Sequence, residues 1–392
     1  MNIGIDATCW WNNRGFGRFT RELLRALFQL ESQHTFYLFV DQHPDDGMNF
    51  ENVQVVYVPS SRPTTEAAVA DSSRALPDIY RLYKAVSGCS IDIMFFPAVY
   101  SWYPVPLRIL TMVTFHDAIA EHYPKLIFAS WSSRLFWMFK VKLALWSSER
   151  LLTVSNAAKA EIVEYMKVEP SRIDVTSEAP DPIFTRVFSE EAKQAARQRF
   201  RLPTDAQLLL YVGGLAPHKN LSGMLEGFSE ALARMPQRDV HLVLVGDLKG
   251  GGFYSENENL LAKVQADSRL RARVHFTGFV PDQDLVALYS TALALTMPSF
   301  SEGFGLPAVE AMACGTPVLA SNQGSLPEVV GNAGLYFDPS DVEAIAGVIV
   351  EIVENAGVRA RLSDVALARA GEFTWRHAAE LTLAHLERMR RA

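Results

Sequence analysis

Two carboxylates flank a glycine-rich turn in Pro298-Ser299-Phe300-Ser301-Glu302-Gly303-Phe304-Gly305-Leu306-Pro307-Ala308-Val309-Glu310. The apolar run ending at Met297 reads as a strand, and Pro307 suits the first turn of a helix, where a missing N–H costs nothing. Gly303 and Gly305 let backbone N–H groups converge just before that helix. Unpaired N–H groups and the helix dipole make such a turn an anion site. A carboxylate accepts two hydroxyl hydrogen bonds well, so Glu302 and Glu310 at the E-x7-E spacing suit vicinal diols. The plain alternative is that Glu310 is a solvated helix carboxylate and Glu302 a complement to the dipole. The turn residues Gly315-Thr316-Pro317 that follow favour the functional reading.

A second segment, Tyr211-Val212-Gly213-Gly214-Leu215-Ala216-Pro217-His218-Lys219-Asn220, also runs from strand to helix. Gly213 and Gly214 permit close backbone approach, and Lys219 brings a point charge that phosphates need. No G-K-[ST] follows, so it is not a Walker loop. A third, Asn12-Asn13-Arg14-Gly15-Phe16-Gly17-Arg18-Phe19, follows the first strand but lacks the third glycine and the well-placed acid of a dinucleotide fingerprint. A phosphate-lining loop and a plain tight turn remain equally compatible with Gly15 and Gly17. His116 closes Val113-Thr114-Phe115-His116-Asp117 at a strand's carboxyl end, where a structural and a functional histidine are equally expected. No D-x-D lies between a strand and a turn to hold a divalent metal, so metal independence is expected.

These residues need strands to hold them. Continuous apolar β-type runs appear at Ile3–Asp6, Phe36–Val40, Val53–Val58, Ile91–Phe96, Leu110–Phe115 and Leu151–Val154. Such runs suit strands buried on both faces of a parallel sheet. Helical stretches intervene at Gly17–Gln33, Ala68–Val86 and Asn156–Met166, the last capped by Ser155. Pro180-Asp181-Pro182 breaks the pattern, and alternation then restarts. The second set of strands is Leu208–Val212, Val240–Val245, Val274–Thr277, Ala292–Met297, Val318–Ala320 and Leu335–Phe337. Its helices are Leu221–Arg234, Glu256–Gln265, Pro307–Ala313 and Val342–Glu354. The expectation is an α/β chain of two Rossmann-like, doubly wound parallel-sheet domains facing a central cleft. Residues 1–182 and 183–373 form the domains, and a terminal helix over 374–392 follows.

Composition narrows the classes further. The 392 residues carry 37 Lys+Arg against 44 Asp+Glu, a net charge of −7, which disfavours nucleic acid as a partner. Half the residues are hydrophobic, enough for large cores, so disorder and disulfide scaffolds are excluded. Cys9, Cys89 and Cys314 form no C-x-x-C pair, which argues against a zinc site. The N-terminus shows no signal-like apolar stretch, and a cytoplasmic location is expected.

Taken together, the motifs resemble the retaining glycosyltransferases of family 4, also called group 1, which have the GT-B fold. G-G-x-x-x-H-K-N, the E-G-F-G-L-P-A-V-E run, Gly315-Thr316-Pro317-Val318 and Asn322-Gln323-Gly324-Ser325-Leu326-Pro327-Glu328 occur in the family's order. The resemblance implies that Lys219 binds the donor's diphosphate, Glu310 the nucleotide ribose and Glu302 the donor sugar. It places amides of Phe304, Gly305 and Leu306 on sugar or phosphate, Gly15 and Gly17 along the cleft, and His116 near the anomeric centre. The terminal helix would cross back to the first domain. Many members carry Arg where this chain has Gly214 in its donor loop, so Arg18 or Arg14 is expected to supply the second cation when the domains close. No cofactor is implied beyond a nucleoside-diphosphate sugar, with GDP-mannose ahead of UDP-glucose. The acceptor would be a glycan or lipid-linked glycan.

Lys125 to Ser148 holds Lys125, Arg134, Lys140 and Lys142, no acidic residue, and Trp131, Phe136, Trp137, Phe139 and Trp146. The stretch fits either an interfacial element with peripheral membrane contact or a buried helix with basic ends, because apolar residues fall all round its projection. Three rival classes stand beside the resemblance. An NAD-dependent oxidoreductase needs the fingerprint that the first turn lacks. A pyridoxal-phosphate phosphorylase needs a Schiff-base lysine that the sequence does not point to. A non-catalytic nucleotide-sugar-binding scaffold is disfavoured by the joint presence of Lys219, Glu302 and Glu310.

Overall fold

The long apolar runs form strands of two separate parallel sheets. The computed structural model describes residues 1–12, 15–44, 46–61, 74–128, 130–187, 189–246 and 257–391. The first sheet holds β1 (Asn2–Asp6), β2 (Thr35–Val40), β3 (Val53–Tyr57), β4 (Ile93–Phe96), β5 (Leu110–Thr114), β6 (Arg150–Thr153) and β7 (Ile173–Val175). The second holds β8 (Gln207–Val212), β9 (Val240–Val245), β10 (Val274–Gly278), β11 (Ala294–Met297), β12 (Val318–Ser321) and β13 (Gly334–Phe337). Their orders are β3-β2-β1-β4-β5-β6-β7 and β10-β9-β8-β11-β12-β13. Both reverse direction beside their first strand, at β1/β4 and at β8/β11. In open α/β sheets, ligands bind outside the strand carboxyl ends at such a point.

Burial explains the choice of parallel pairing. Every residue of β4, β9, β11 and β12 is buried, as strands covered on both faces must be. The core of the second unit joins Leu209 and Leu242 from the sheet to Phe228, Ile345 and Ile349 from two helices, all fully buried. Helix Asn156–Met166 begins where Ser155 caps it, its side chain accepting from the Ala158 N–H at 2.9 Å. Helices Leu221–Arg234 and Val342–Glu354 have the expected bounds.

Several elements depart from the sequence pattern. The first helix starts at Gly15 and ends at Phe28, so Gly15 and Gly17 belong to its first turn and not to a loop. The helix expected from Ala68 runs over Leu76–Ser87, with residues 68–73 outside those described. Strand β7 is three residues long, too short for a periodicity to register. Helices Glu190–Arg199, Asp282–Thr291 and Ala356–Ala370 had no strong apolar stripe to mark them. The last is started by a local cap, Asn355 accepting from the Val358 N–H.

The chain divides into two compact units, residues 1–178 with 374–392, and residues 179–373. Helix Trp375–Arg391 belongs to the first. There Trp375 lies edge-on to Phe19 with ring centroids 6.0 Å apart, and the Thr176 hydroxyl donates to the Ala378 carbonyl at 3.1 Å.

Candidate active site

The two loops that leave β8 and β11 meet in the second unit. After β8 the chain makes a short 3-10 turn, Pro217–Lys219, and Asn220 then adopts a left-handed conformation at φ 53°. Asparagine tolerates that region, and its buried side chain anchors the turn. Its Nδ2 donates to the carbonyls of Pro298 at 3.2 Å and Pro339 at 2.7 Å. The Phe300 N–H donates to the His218 carbonyl at 2.9 Å. Three loops at strand carboxyl ends are thereby held together, two of them at the reversal of strand order.

Lys219 and Glu302 pair across this junction. Nζ lies 2.8 Å from Oε1 and 2.7 Å from Oε2 of Glu302, and the Ser299 hydroxyl donates to Oε1 at 2.6 Å. The lysine side chain is 21% exposed and the glutamate 9%. A pair this sheltered attracts more strongly than one on the surface, yet the lysine keeps an open side to an anion. The sequence treated the two as separate contacts, one for phosphate and one for sugar. In the structure they form one unit, so any phosphate reaching Lys219 shares it with Glu302.

His218 stands beside them. Burial, and secondarily the neighbouring Lys219 charge, push its imidazole pKa down to about 3. It is a neutral ring at physiological pH, and Nδ1 has no hydrogen-bond partner among the described residues. His218, the histidine of the G-G-x-x-x-H-K-N run, and Ser299, which no spacing singled out, join this cluster. The signal of Ser299 is its contact with Glu302, which folding creates.

The turn after Glu302 is built as expected. Gly305 caps helix Leu306–Ala313 at φ 97°, a conformation that favours glycine. Phe304, Gly305 and Leu306 are buried, with Phe304 edge-on to Phe373 at 5.6 Å. The Ser325 hydroxyl donates to the Phe304 carbonyl at 2.8 Å, which ties the loop after β12 to this turn. Glu310 corrects the reading from spacing. It is not an open carboxylate at the mouth but 3% exposed, and Oε2 already accepts from the Tyr289 hydroxyl at 3.0 Å. Position five of a helix that begins at Leu306 turns it into the unit. Gly214 is exposed, and a Cβ there would meet nothing within 4 Å. Its φ is not in the left-handed region, so the site accepts a larger side chain.

The first unit carries the remaining candidates. His116 follows β5, with Nε2 donating to the Pro97 carbonyl at 3.0 Å and Nδ1 3.4 Å from Glu178 Oε1. Phe19 meets it edge-on at 4.7 Å. Gly17 is set by packing, because a Cβ there would lie 2.1 Å from the Asn12 carbonyl oxygen. Gly15 has open space around its Cβ position, and Arg18 is half-buried on the same helix. Arg14 lies outside the described residues. Among the described residues no cluster of three or more His, Cys, Asp or Glu side chains could hold a metal.

Comparison with known proteins gives this geometry its family. Residues 192–369 match the model of the glycosyl transferases group 1, and residues 13–181 that of glycosyltransferase family 4. The O-antigen chain mannosyltransferase B of Escherichia coli is 33% identical over 277 residues, 69% of this chain and 68% of that protein. The chain belongs to the group 1 glycosyltransferases. This glycosyltransferase is also 26% identical to the serotype-specific mannosyltransferase WbdA of Escherichia coli over 99% of its own length, spanning about half of that protein (48%). A D-inositol 3-phosphate glycosyltransferase of Corynebacterium efficiens is 32% identical over 55% of the chain and 51% of the relative.

Solved structures agree on the fold of the enzyme. The sucrose-phosphate synthase of Thermosynechococcus elongatus superposes with a TM-score of 0.73 at 21% identity, covering 99% of this chain and 98% of that one. WaaG, a glycosyltransferase involved in lipopolysaccharide biosynthesis, gives 0.70 at 16% identity, covering 97% and 98%. The enzyme therefore has the GT-B fold, with two Rossmann-like parallel-sheet units.

Proposed function

We propose that this glycosyltransferase moves a hexose, with retention at the anomeric carbon, from a nucleoside-diphosphate sugar to a hydroxyl of a growing surface polysaccharide or lipid-linked glycan. GDP-mannose is the favoured donor and UDP-glucose the next. The observation that carries the reading is the half-sheltered Lys219–Glu302 pair at the β8/β11 reversal, beside the turn that opens helix Leu306–Ala313. The names of the two Escherichia coli relatives, both mannosyltransferases, support the choice of sugar.

The chemistry follows from charge. As the bond between the anomeric carbon and the diphosphate oxygen breaks, that carbon turns oxocarbenium-like and negative charge gathers on the departing diphosphate. The acceptor hydroxyl oxygen bonds to the same face of the carbon and passes its proton to the diphosphate. Lys219 and the N-terminal turn of the helix stabilise that charge, with Glu302 holding the ammonium in place and accepting sugar hydroxyls. His218 stays uncharged and so adds no titrating step near neutrality. In the same reading Glu310 meets the ribose after Tyr289 yields its hydrogen bond, and His116 and Arg18 keep the donor roles that the family resemblance implies. No cofactor or metal enters the step.

A thermal-shift screen of GDP-, UDP- and ADP-sugars tests the donor. Ligand at 100 times its Kd stabilises by about 2.7 kcal/mol, and GDP-mannose should give the largest shift. No shift with any nucleotide sugar would overturn the reading. Activity that vanishes in chelator and returns with magnesium would overturn metal independence. An unchanged donor KM in Arg18→Ala would remove Arg18 from the diphosphate site.

A further inference from the structure

Helix Trp131–Ser147 has two apolar faces, and the unit covers only one of them. Trp137, Val141 and Ala144 are buried against the first unit. At about 100° per residue, Trp131, Leu135, Met138, Phe139, Lys142 and Trp146 fall together on the opposite face. All six are exposed, Trp131 at 76%, Phe139 at 62% and Trp146 at 74%. This separates the two readings of the sequence, because a fully buried helix would leave no such face. Single exposed apolar residues need no explanation, whereas a contiguous row of five marks an interaction surface.

The helix cannot roll this face inward. Trp137 donates through Nε1 to Glu121 Oε1 at 2.8 Å, and Lys140 donates through Nζ to the Tyr100 carbonyl. Trp137 also packs on Tyr100 with centroids 5.3 Å apart. These polar pins fix the rotation about the helix axis.

Charge says what covers the face. The chain as a whole carries −7, yet residues 125–148 hold four basic side chains and no acidic one. On the helix, Arg134 and Lys142 are exposed beside and within the apolar row, and Lys125, on the short helix before it, is exposed too. Tryptophans at both ends of a row about 22 Å long suit the boundary between headgroups and acyl chains, where an amphipathic ring rests with its polar edge toward water. No helix among the described residues is long and apolar enough to cross a membrane. We propose that helix Trp131–Ser147 lies in the plane of an anionic lipid surface and docks the first unit there, with its aromatic row among the acyl chains and its cations at the headgroups. The proposal goes beyond the donor chemistry and does not depend on it.

Co-sedimentation with vesicles decides the matter. The full chain should pellet with phosphatidylcholine vesicles that contain phosphatidylglycerol, less with phosphatidylcholine alone, and less as salt rises. The triple variant Trp131→Ser, Phe139→Ser, Trp146→Ser should lose at least about tenfold in partitioning. Arg134→Glu with Lys142→Glu should abolish the preference for anionic lipid. The substituted side chains are exposed, so the thermal midpoint and its shift with nucleotide sugar should match the wild type and show a folded enzyme. Wild-type protein that stays in the supernatant would overturn the proposal, as would a triple variant that pellets normally. A wild-type dimer that the triple variant dissolves, without lipid binding by either, would assign the face to a second copy and overturn it as well.

Discussion

The two sheets share a topology and differ in what stands at the reversal of strand order. In the second unit the loops after β8 and β11 bring together a half-sheltered ion pair, a glycine-capped helix start and a neutral histidine. In the first unit the loops after β1 and β4 close over a sealed polar knot. Asp6 is fully buried, its Oδ1 accepting from the Thr8 N–H and hydroxyl, with Arg74 Nη2 at 3.9 Å. Arg74 also donates to the Thr8 hydroxyl and lies over the Tyr103 ring at 5.2 Å. Burial raises the Asp6 pKa, and pushes the Cys9 thiol up to about 12. Topology thus offers two crevices, and among the described residues the second unit's holds a partly exposed lysine paired with Glu302 where the first unit's holds a buried contact between Arg74 and Asp6.

The largest test of that contrast is Lys219→Ala. Losing one preorganised charge contact should lower kcat by roughly 10²–10³. The single-turnover rate with saturating nucleotide sugar measures it, and a rate within a few-fold of wild type would show that the pair is structural. Gly17→Ala should come next, through stability and not through rate. Its Cβ would be forced against the Asn12 carbonyl, and overpacking of this kind costs about 1–3 kcal/mol. Urea denaturation should show the first unit weakened while the nucleotide-sugar thermal shift of the second persists.

Glu121→Gln probes the pin beneath the aromatic helix. Burial lifts the Glu121 carboxyl from 4.5 to about 7. The unfolded chain therefore ionises first as pH rises, and folding loses stability between about pH 4.5 and pH 7, then levels off. Glutamine can still accept from Trp137 and carries no charge. It should stabilise the protein above pH 7 by roughly 3 kcal/mol, with the advantage gone by about pH 4.5. A variant whose advantage is the same at both ends would mean that Glu121 does not titrate there. The smallest effect is expected from Gly214→Arg. Open space and ordinary backbone at Gly214 should let the guanidinium reach the donor loop, lowering the donor KM a few-fold without changing the thermal midpoint. An unchanged KM would mean that the chain already has its second cation.

Much of the architecture is legible in the chain because parallel strands buried on both faces must be continuous apolar runs. The bounds of β9 and of helices Asn156–Met166, Leu221–Arg234 and Val342–Glu354 follow from pattern and caps alone. Strand β7, with three residues, and helix Glu190–Arg199, mostly polar, carry too little pattern to be read. Within the site, Lys219, Glu302 and Gly305 are legible because turn chemistry brackets them. Ser299 is not, since only the folded turn brings its hydroxyl onto Glu302, and the burial that keeps His218 neutral is likewise set by packing.

Local pattern by itself determined the two doubly wound sheets, the glycine-hinged turn before helix Leu306–Ala313 and the residue types at the strand ends, because each is written over a few consecutive residues. Tertiary structure alone decided that Lys219 meets Glu302 across 83 positions, that Glu310 turns inward to Tyr289, and which apolar face of helix Trp131–Ser147 stays uncovered. Those outcomes depend on which surfaces are brought together when the chain packs, and no periodicity along the chain records that.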